Sequence, residues 1–279
     1  MKLISLNIWG GKAYNALMPF IREHAPTTDV FCFQEVFRSD SGVEVYDGTH
    51  LNIFADIAAI LPEFQAFFRL MQHDLIDKGP IDVSDEMGLA MFVRPPLTVQ
   101  NEGVLPLYRT PGSWERELDF STLPHILQYA RVACSGAPLT IASVHGISRP
   151  GTKRDTPERL EQSRRIVRFL EKEPGAKILC GDFNLMPDTE SIAMIERVAA
   201  KAGQAGPPSQ ELRRAGMRNL IKDFGVTDTR GSLGHEKWPD SPQFFADYAF
   251  VSPEVKVKKF EVPQIPVSDH LPMILEFEL

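Results

Sequence analysis

What most constrains this chain is a placement repeated along its whole length: an apolar, β-rich run meets a compact polar group. The meeting points are Ser5-Leu6-Asn7-Ile8, Phe33-Gln34-Glu35-Val36, Ser143-Val144-His145-Gly146, Gly181-Asp182-Phe183-Asn184, Ala246-Asp247-Tyr248 and Val267-Ser268-Asp269-His270. Strands covered on both faces are apolar throughout, so their ends are where chemistry-bearing side chains project. Each group alone reads as turn or capping chemistry, because Asp and Asn bond their own backbone in turns. Six of them in one chain, all with side chains suited to one reaction, point instead to strand ends converging on a single site.

The runs themselves follow from periodicity. A strand is expected over Lys2 to Ile8, then a helix carrying Leu17, Phe20 and Ile21, then a strand from Asp29 to Glu35. Period-two alternation places Phe31, Phe33 and Glu35 on one face of that strand. A helix follows over Leu51 to Leu61. Strand segments then recur at Phe64–Met71, Met87–Arg94, Leu97–Val104, Leu127–Cys134 and Leu139–Val144, separated by turn residues. Asp155-Thr156-Pro157-Glu158 opens a helix with a capping side chain, proline in the first turn and an early acid, and Pro174-Gly175 ends it. Lys177–Cys180 is the next strand. A helix from Thr189 to about Ala202, a loop over Gly203–Ser209 and a short helix near Leu212–Ile221 lead to the last strands, Phe245–Val251, Val255–Val262 and Met273–Leu279. Many short strands among few helices predict a two-sheet core.

At 279 residues with 43% hydrophobic content, one large domain over 1–279 is expected. Cys32, Cys134 and Cys180 each lie inside apolar runs with no C-x-x-C spacing, an odd set without a secretory leader. They read as reduced core residues of a cytoplasmic protein. No apolar stretch approaches the roughly 18 residues needed to span a bilayer. A formal charge of -7 opposes the broad basic face of a tight duplex binder, although a nuclease using metal ions and a few contacts can be acidic overall. Nothing in the sequence calls for an obligate protein partner.

The donors at the six points are oxygens and imidazoles, without thiolates. Hard Mg²⁺ prefers carboxylate, amide and water oxygens, so Glu35 with Asn7, assisted through water by Asp269, would form a sparse site open to a substrate phosphate; Mn²⁺ is a possible substitute and zinc the poorer fit. Asp182 and Asn184 are two apart, and extended geometry would turn them to one side, the carboxylate to take a proton from water and the amide to orient it. If Asp247 accepts the hydrogen bond of one ring nitrogen of His270, the other faces the scissile phosphate.

Leu-Asn-Ile-Trp around Asn7, Gln-Glu-Val at Glu35, Val-His-Gly at His145, Gly-Asp-Phe-Asn at Asp182 to Asn184, Ala-Asp-Tyr at Asp247 and Ser-Asp-His at Asp269-His270 resemble, in this order, the endonuclease/exonuclease/phosphatase superfamily, in a bacterial-type form. The resemblance runs from Asn7 to His270. It implies a four-layer αββα sandwich, two mixed sheets packed face to face with helices outside, and a Mg²⁺-dependent phosphoesterase site at one end. It also implies that Glu35 and Asn7 form the metal shell, Asp182 is the base, Asn184 its orienting partner and Asp247-His270 the phosphate-polarising pair. His145 becomes a second phosphate-facing imidazole.

Departures from the superfamily's branches narrow the substrate. Abasic-site endonucleases carry Tyr-x-Pro-Asn where this chain has Ser143-Val144-His145-Gly146, and inositol 5-phosphatases follow Gly-Asp-x-Asn with an arginine where this chain has Leu185. Arg149, Lys153 and Arg154, just after His145, could gather a phosphate or anionic headgroup, and Trp238, ahead of Asp247, could stack on a base. The expected activity is hydrolysis of a phosphate ester, a diester before a monoester, in a nucleic acid, lipid or small molecule. The alternatives are a phosphomonoesterase of a small metabolite and a catalytically retired phosphate-binding scaffold.

Overall fold

The structure is a computed structural model and describes residues 1–41, 44–75, 85–114, 119–134, 137–198, 216–237 and 243–279. In chain order its elements are β1 (Lys2–Asn7), α1 (Tyr14–His24), β2 (Val30–Arg38), β3 (Val45–Tyr46), β4 (Thr49–His50), α2 (Ile53–Ile60), β5 (Gln65–His73), β6 (Glu86–Val93), β7 (Thr98–Tyr108), β8 (His125–Cys134), β9 (Ala137–His145), α3 (Pro157–Leu170), β10 (Ala176–Asp182), α4 (Glu190–Glu196), β11 (Arg218–Asn219), α5 (Leu220–Asp223), α6 (Gly231–Lys237), β12 (Asp247–Val251), β13 (Lys256–Glu261) and β14 (Met273–Glu278).

Two six-stranded sheets result, ordered β13-β14-β1-β2-β6-β5 and β11-β12-β10-β9-β8-β7. Each contains one parallel pair, β1 with β2 and β10 with β9, and is antiparallel elsewhere. The sheets pack face to face, β1 and β2 against β10 and β9, and bury Leu3, Val30, Cys32, Ile141, Val144 and Cys180 between them. Cys32 and Cys180 are free and buried. The outer face of the first sheet is covered by α1 and α2, whose Leu17, Phe20 and Ile21, and Ile53 and Ile57, recur at helical spacing and meet Phe31, Phe33 and Phe92. The outer face of the second meets Ile166 and Leu170 of α3 and Ile192 and Ile195 of α4. This is the four-layer αββα sandwich that the resemblance implied.

Helix α3 starts where the sequence placed it: the Thr156 side chain accepts the Arg159 main-chain N–H, with Pro157 in the first turn. Such a cap contributes about 1 kcal/mol. The segments 199–215 and 238–242 lie outside the described residues, so the expected loop at 203–209, the first four residues of the expected helix at 212–221 and Trp238 are not among them. In the rest of that stretch Arg218–Asn219 pair as strand β11, and the helix begins only at Leu220. No helix among the described residues is long and apolar enough to cross a membrane.

Candidate active site

The site forms where both parallel pairs end. Asn7 closes β1 and Gln34 is its partner on β2. Alternation would have put Glu35 beside Phe31 and Phe33, but the β2–β6 register slips between Phe33 and Val36, and Glu35 takes a φ of 53°. A bulge re-aims one side chain without ending the strand. Phe31 and Phe33 therefore stay under the helices while Glu35 turns into the cleft, its side chain 29% exposed. Just behind it, Gln34 Nε2 donates to Ser143 Oγ at 2.8 Å, a buried link that sets the two sheets at a defined distance.

In the second sheet the register itself gathers the residues. Asp182 lies directly between His145 on β9 and Asp247 on β12, and paired residues project to the same side of a sheet. The amide of Asn7 reaches across from the first sheet, its Nδ2 donating to Glu35 Oε1 at 2.9 Å and to Asp182 Oδ2 at 3.1 Å. Its Oδ1 accepts the Trp9 main-chain N–H at 3.0 Å. His145 Nε2 stands 3.7 Å from Glu35 Oε1 and 3.9 Å from Asp182 Oδ2. Two glycines permit this crowding. At Gly181 (φ 120°) a Cβ would meet the Val144 carbonyl oxygen at 2.3 Å, and at Gly146 one would meet the Phe183 carbonyl oxygen at 2.5 Å.

Asn184 corrects the extended geometry expected after Asp182. Its φ is 54°, and its main-chain N–H donates to Asp182 Oδ1 at 2.8 Å, so the pair forms a turn in which the aspartate accepts from the backbone two residues on. Asn184 Nδ2 donates to the Gly146 carbonyl at 3.1 Å, and its Oδ1 accepts from Lys153 Nζ.

His270, in the loop before β14, exchanges a hydrogen bond of 2.8 Å between Nδ1 and Asp247 Oδ2, as expected, and its Nε2 lies 3.7 Å from Asp182 Oδ2. Burial, and after it the charge of Arg230, hold the imidazole well below its ordinary pKa. Burial, and after it the charge of Asp182, push the Asp247 carboxyl well up. The physical consequence is a neutral imidazole oriented by its partner. Thr229 braces the arrangement, its Oγ1 accepting the main-chain N–H groups of Ala246 (3.1 Å) and Asp247 (3.2 Å).

Asp269 is placed differently from its neighbour. Its Oδ2 accepts from Arg230 at 3.2 Å and from Lys237 Nζ at 3.3 Å. Arg230 also contacts His270 Nε2. Neither Arg230, 8% exposed, nor Lys237 was expected from sequence. Arg230 sits in Asp228-Thr229-Arg230-Gly231, a turn with no periodic signal, and Lys237 ends a short helix. His125 was missed as well: it opens β8 next to β9, buried, with its ring edge-on to His145 at 5.6 Å. A rule for polar residues where apolar runs begin, as well as end, would have found it.

These groups line a cleft of about 490 Å³ that holds Glu35, His145, Arg149, Lys153, Asp182, Asn184, Arg230, Lys237, Asp269 and His270 on its polar side and Met71, Leu75, Met87, Phe120 and Leu123 on its apolar side. A second cavity past Trp9 and Tyr46 shares Glu35, Leu75, Met87, Phe120 and Lys237 with the first. Of the basic residues proposed for substrate, Arg149 and Lys153 line the cleft. Arg154 does not: it pairs on the surface with Asp188 at 2.5 Å, side chain 55% exposed.

The donors fit a divalent cation. Ligand atoms of Glu35, His145 and Asp182 lie within 4.8 Å of one another, as do those of Asp182, Asp247 and His270. Only Glu35 among them is partly open to solvent, as a ligand to an exchangeable, partly hydrated ion should be.

A fold of two mixed sheets between helices, with carboxylates, amides and imidazoles gathered at the ends of the central strands, defines a phosphate-ester hydrolase. The profile of the Endonuclease/Exonuclease/phosphatase family matches residues 4–270, and the chain belongs to that family. Solved structures agree in fold. Mannosyl-6-phosphatase Bt3783 of Bacteroides thetaiotaomicron is 18% identical, with all of both chains covered and a TM-score of 0.67. The human Nocturnin catalytic domain with bound sulfate is 18% identical over all of this chain and 93% of its own, TM-score 0.64, and humanized D. rerio TDP2 is 16% identical over 100% and 99%, TM-score 0.62. No curated protein sequence matches the chain significantly.

Proposed function

We propose that this chain acts as one catalytic unit, a Mg²⁺-dependent phosphodiesterase in which Asp182 is the general base. The observation that carries the reading is the position of Asp182: 1% exposed at the end of the second sheet, met by Asn7 and His270 from the first, and a member of two separate groups whose ligand atoms lie within 4.8 Å of one another. Glu35, with the Asn7 amide ordering it, would hold the ion, and Asp269, paired with Arg230 and Lys237, would assist only through water. Mg²⁺ bound there would polarise a phosphoryl oxygen and neutralise charge as the phosphorus is attacked.

The protein's own groups supply the rest. The main-chain N–H of Asn184 fixes one Asp182 oxygen, and the other, which accepts from Asn7 Nδ2, has a second lone pair with which to take a proton from water in line with the phosphorus. His270 is held through Nδ1 by Asp247, with Nε2 against Arg230 and 3.7 Å from Asp182 Oδ2, and His145 brings its Nε2 to the same cleft from β9. With the raised Asp247 carboxyl carrying the shared proton, His270 would keep Nε2–H, and it, Arg230 and His145 would donate to the phosphoryl oxygens as charge develops. A diester is favoured over a monoester because a second cavity shares Glu35 with the first, leaving room for a substituent on either side of the phosphorus.

Turnover of bis(4-nitrophenyl) phosphate and of 4-nitrophenyl phosphate, each with Mg²⁺, Mn²⁺ or EDTA, tests this. Faster metal-dependent cleavage of the diester is the expected result. Preference for the monoester would reverse the substrate assignment, and no turnover of either with any metal would favour a retired phosphate-binding scaffold.

A further inference from the structure

We infer that Lys153 is the residue that grips the phosphoryl oxygens of the substrate, and that Asn184 is a positioning residue that aims it. The inference rests on the phosphoesterase reading and gives one residue of the site a ligand.

Lys153 is 8% exposed, and burying an ammonium is costly unless something in its surroundings requires it. It sits in the left-handed region at φ 55°, held there by its carbonyl, which accepts the Met186 N–H at 2.9 Å. Its Nζ donates to the Ser148 carbonyl at 2.8 Å and to Asn184 Oδ1. An ammonium has three N–H groups and accepts nothing. Two are used, and the third has no partner among the described residues, while the side chain lines the cleft beside Asp182 and His270.

The surroundings suit an anion. Arg149 and Arg230 line the same cleft, and Arg159, wholly buried, stands behind it with its guanidinium on the Ile147 and Pro150 carbonyls. Burial, with these cations, lowers the Lys153 pKa to about 7 against the opposing pull of Asp182. A phosphate dianion in the cleft would favour the charged amine, so ligand and lysine stabilise each other. Asn184 has little freedom to do anything else: its Nδ2 is on the Gly146 carbonyl and its Oδ1 on Lys153. Arg154, one residue away, contrasts with this by pairing with Asp188 outside the cleft.

The test is calorimetric titration of the full chain with inorganic phosphate in EDTA, alongside steady-state turnover of bis(4-nitrophenyl) phosphate with Mg²⁺. Lys153→Met should weaken phosphate about 10- to 100-fold and raise KM more than it lowers kcat, and Lys153→Arg should restore most of the affinity. Asn184→Ala should weaken phosphate in the wild-type background and have little further effect in Lys153→Met. Wild-type phosphate affinity in a Lys153→Met protein that melts like wild type would overturn the assignment, as would wild type that binds no phosphate at millimolar concentration. If Lys153→Met misfolds, Lys153→Gln takes its place under the same criteria. Equal effects of Asn184→Ala in both backgrounds would remove the positioning role. Phosphate affinity that falls with Lys153→Met in a protein without turnover would leave Lys153 as an anion site and refute the phosphoesterase reading instead.

Discussion

In the first sheet the parallel pairing of β1 and β2 stops at Asn7, with Glu35 turned out by the bulge just past it; in the second the corresponding pair, β10 and β9, ends in Asp182 and His145. The neighbours correspond too, with β14 beside β1 following His270 and β12 beside β10 beginning at Asp247. The backbone is built to one pattern twice. The side chains at matching positions differ in chemistry and in exposure: Glu35 is 29% exposed, Asp182 and His145 only 2% and 6%. Two carboxylates thus share the Asn7 amide, one partly open to solvent and one buried in the wall of the cleft. The fold supplies positions, and exposure divides the roles among them.

That division can be broken most severely at Asp182. Asp182→Asn keeps shape but removes the proposed acceptor of water's proton, and the single-turnover rate at fixed Mg²⁺ should fall by a factor on the order of 10² to 10⁴ with substrate affinity little changed. If binding weakens and the chemical rate stays near wild type, Asp182 holds metal or substrate, and His145 becomes the candidate base.

Glu35→Gln tests the other carboxylate. Turnover at ordinary Mg²⁺ should nearly vanish, and the Mg²⁺ needed for half-maximal activity should rise by about 10- to 100-fold or more, with folding unaffected because the side chain lies at the cleft surface. An unchanged Mg²⁺ midpoint would place the ion elsewhere, with the Asp182, Asp247 and His270 group the first alternative.

The smallest effect expected is a coupling. Asp247 is hydrogen-bonded to His270 Nδ1, and on the proposed reading it acts through that contact, so Asp247→Ala combined with His270→Ala should cost little more than His270→Ala alone. Additive losses in the double-mutant cycle would show that Asp247 serves the site by another route, for instance through Thr229.

Much of this was legible in the sequence because strand-end polar residues and helix caps are local signals. Asn7, His145, Asp182, Asp247 and His270 were marked by apolar runs, and Thr156 by the proline and acid that follow it. Glu35 was found for a partly wrong reason, since alternation cannot foresee a bulge that depends on pairing with β6. Asn184 was found, but its side chain's partner was not, because Lys153 reaches it from a loop 31 residues away.

What the sequence determined by itself was the order of the long strands and of helices α1 to α4, the buried character of both sheets and the set of polar residues at their ends, because periodicity and capping act over a few residues; the short β3, β4, β11 and α6 carried no such signal. Tertiary structure alone decided which of those residues face one another, that Arg230, Lys237 and His125 join them, that Arg154 does not, and that Glu35 is open while Asp182 is closed. Those outcomes depend on register, on the packing of one sheet against the other and on exclusion of water, none of which is encoded within a single segment.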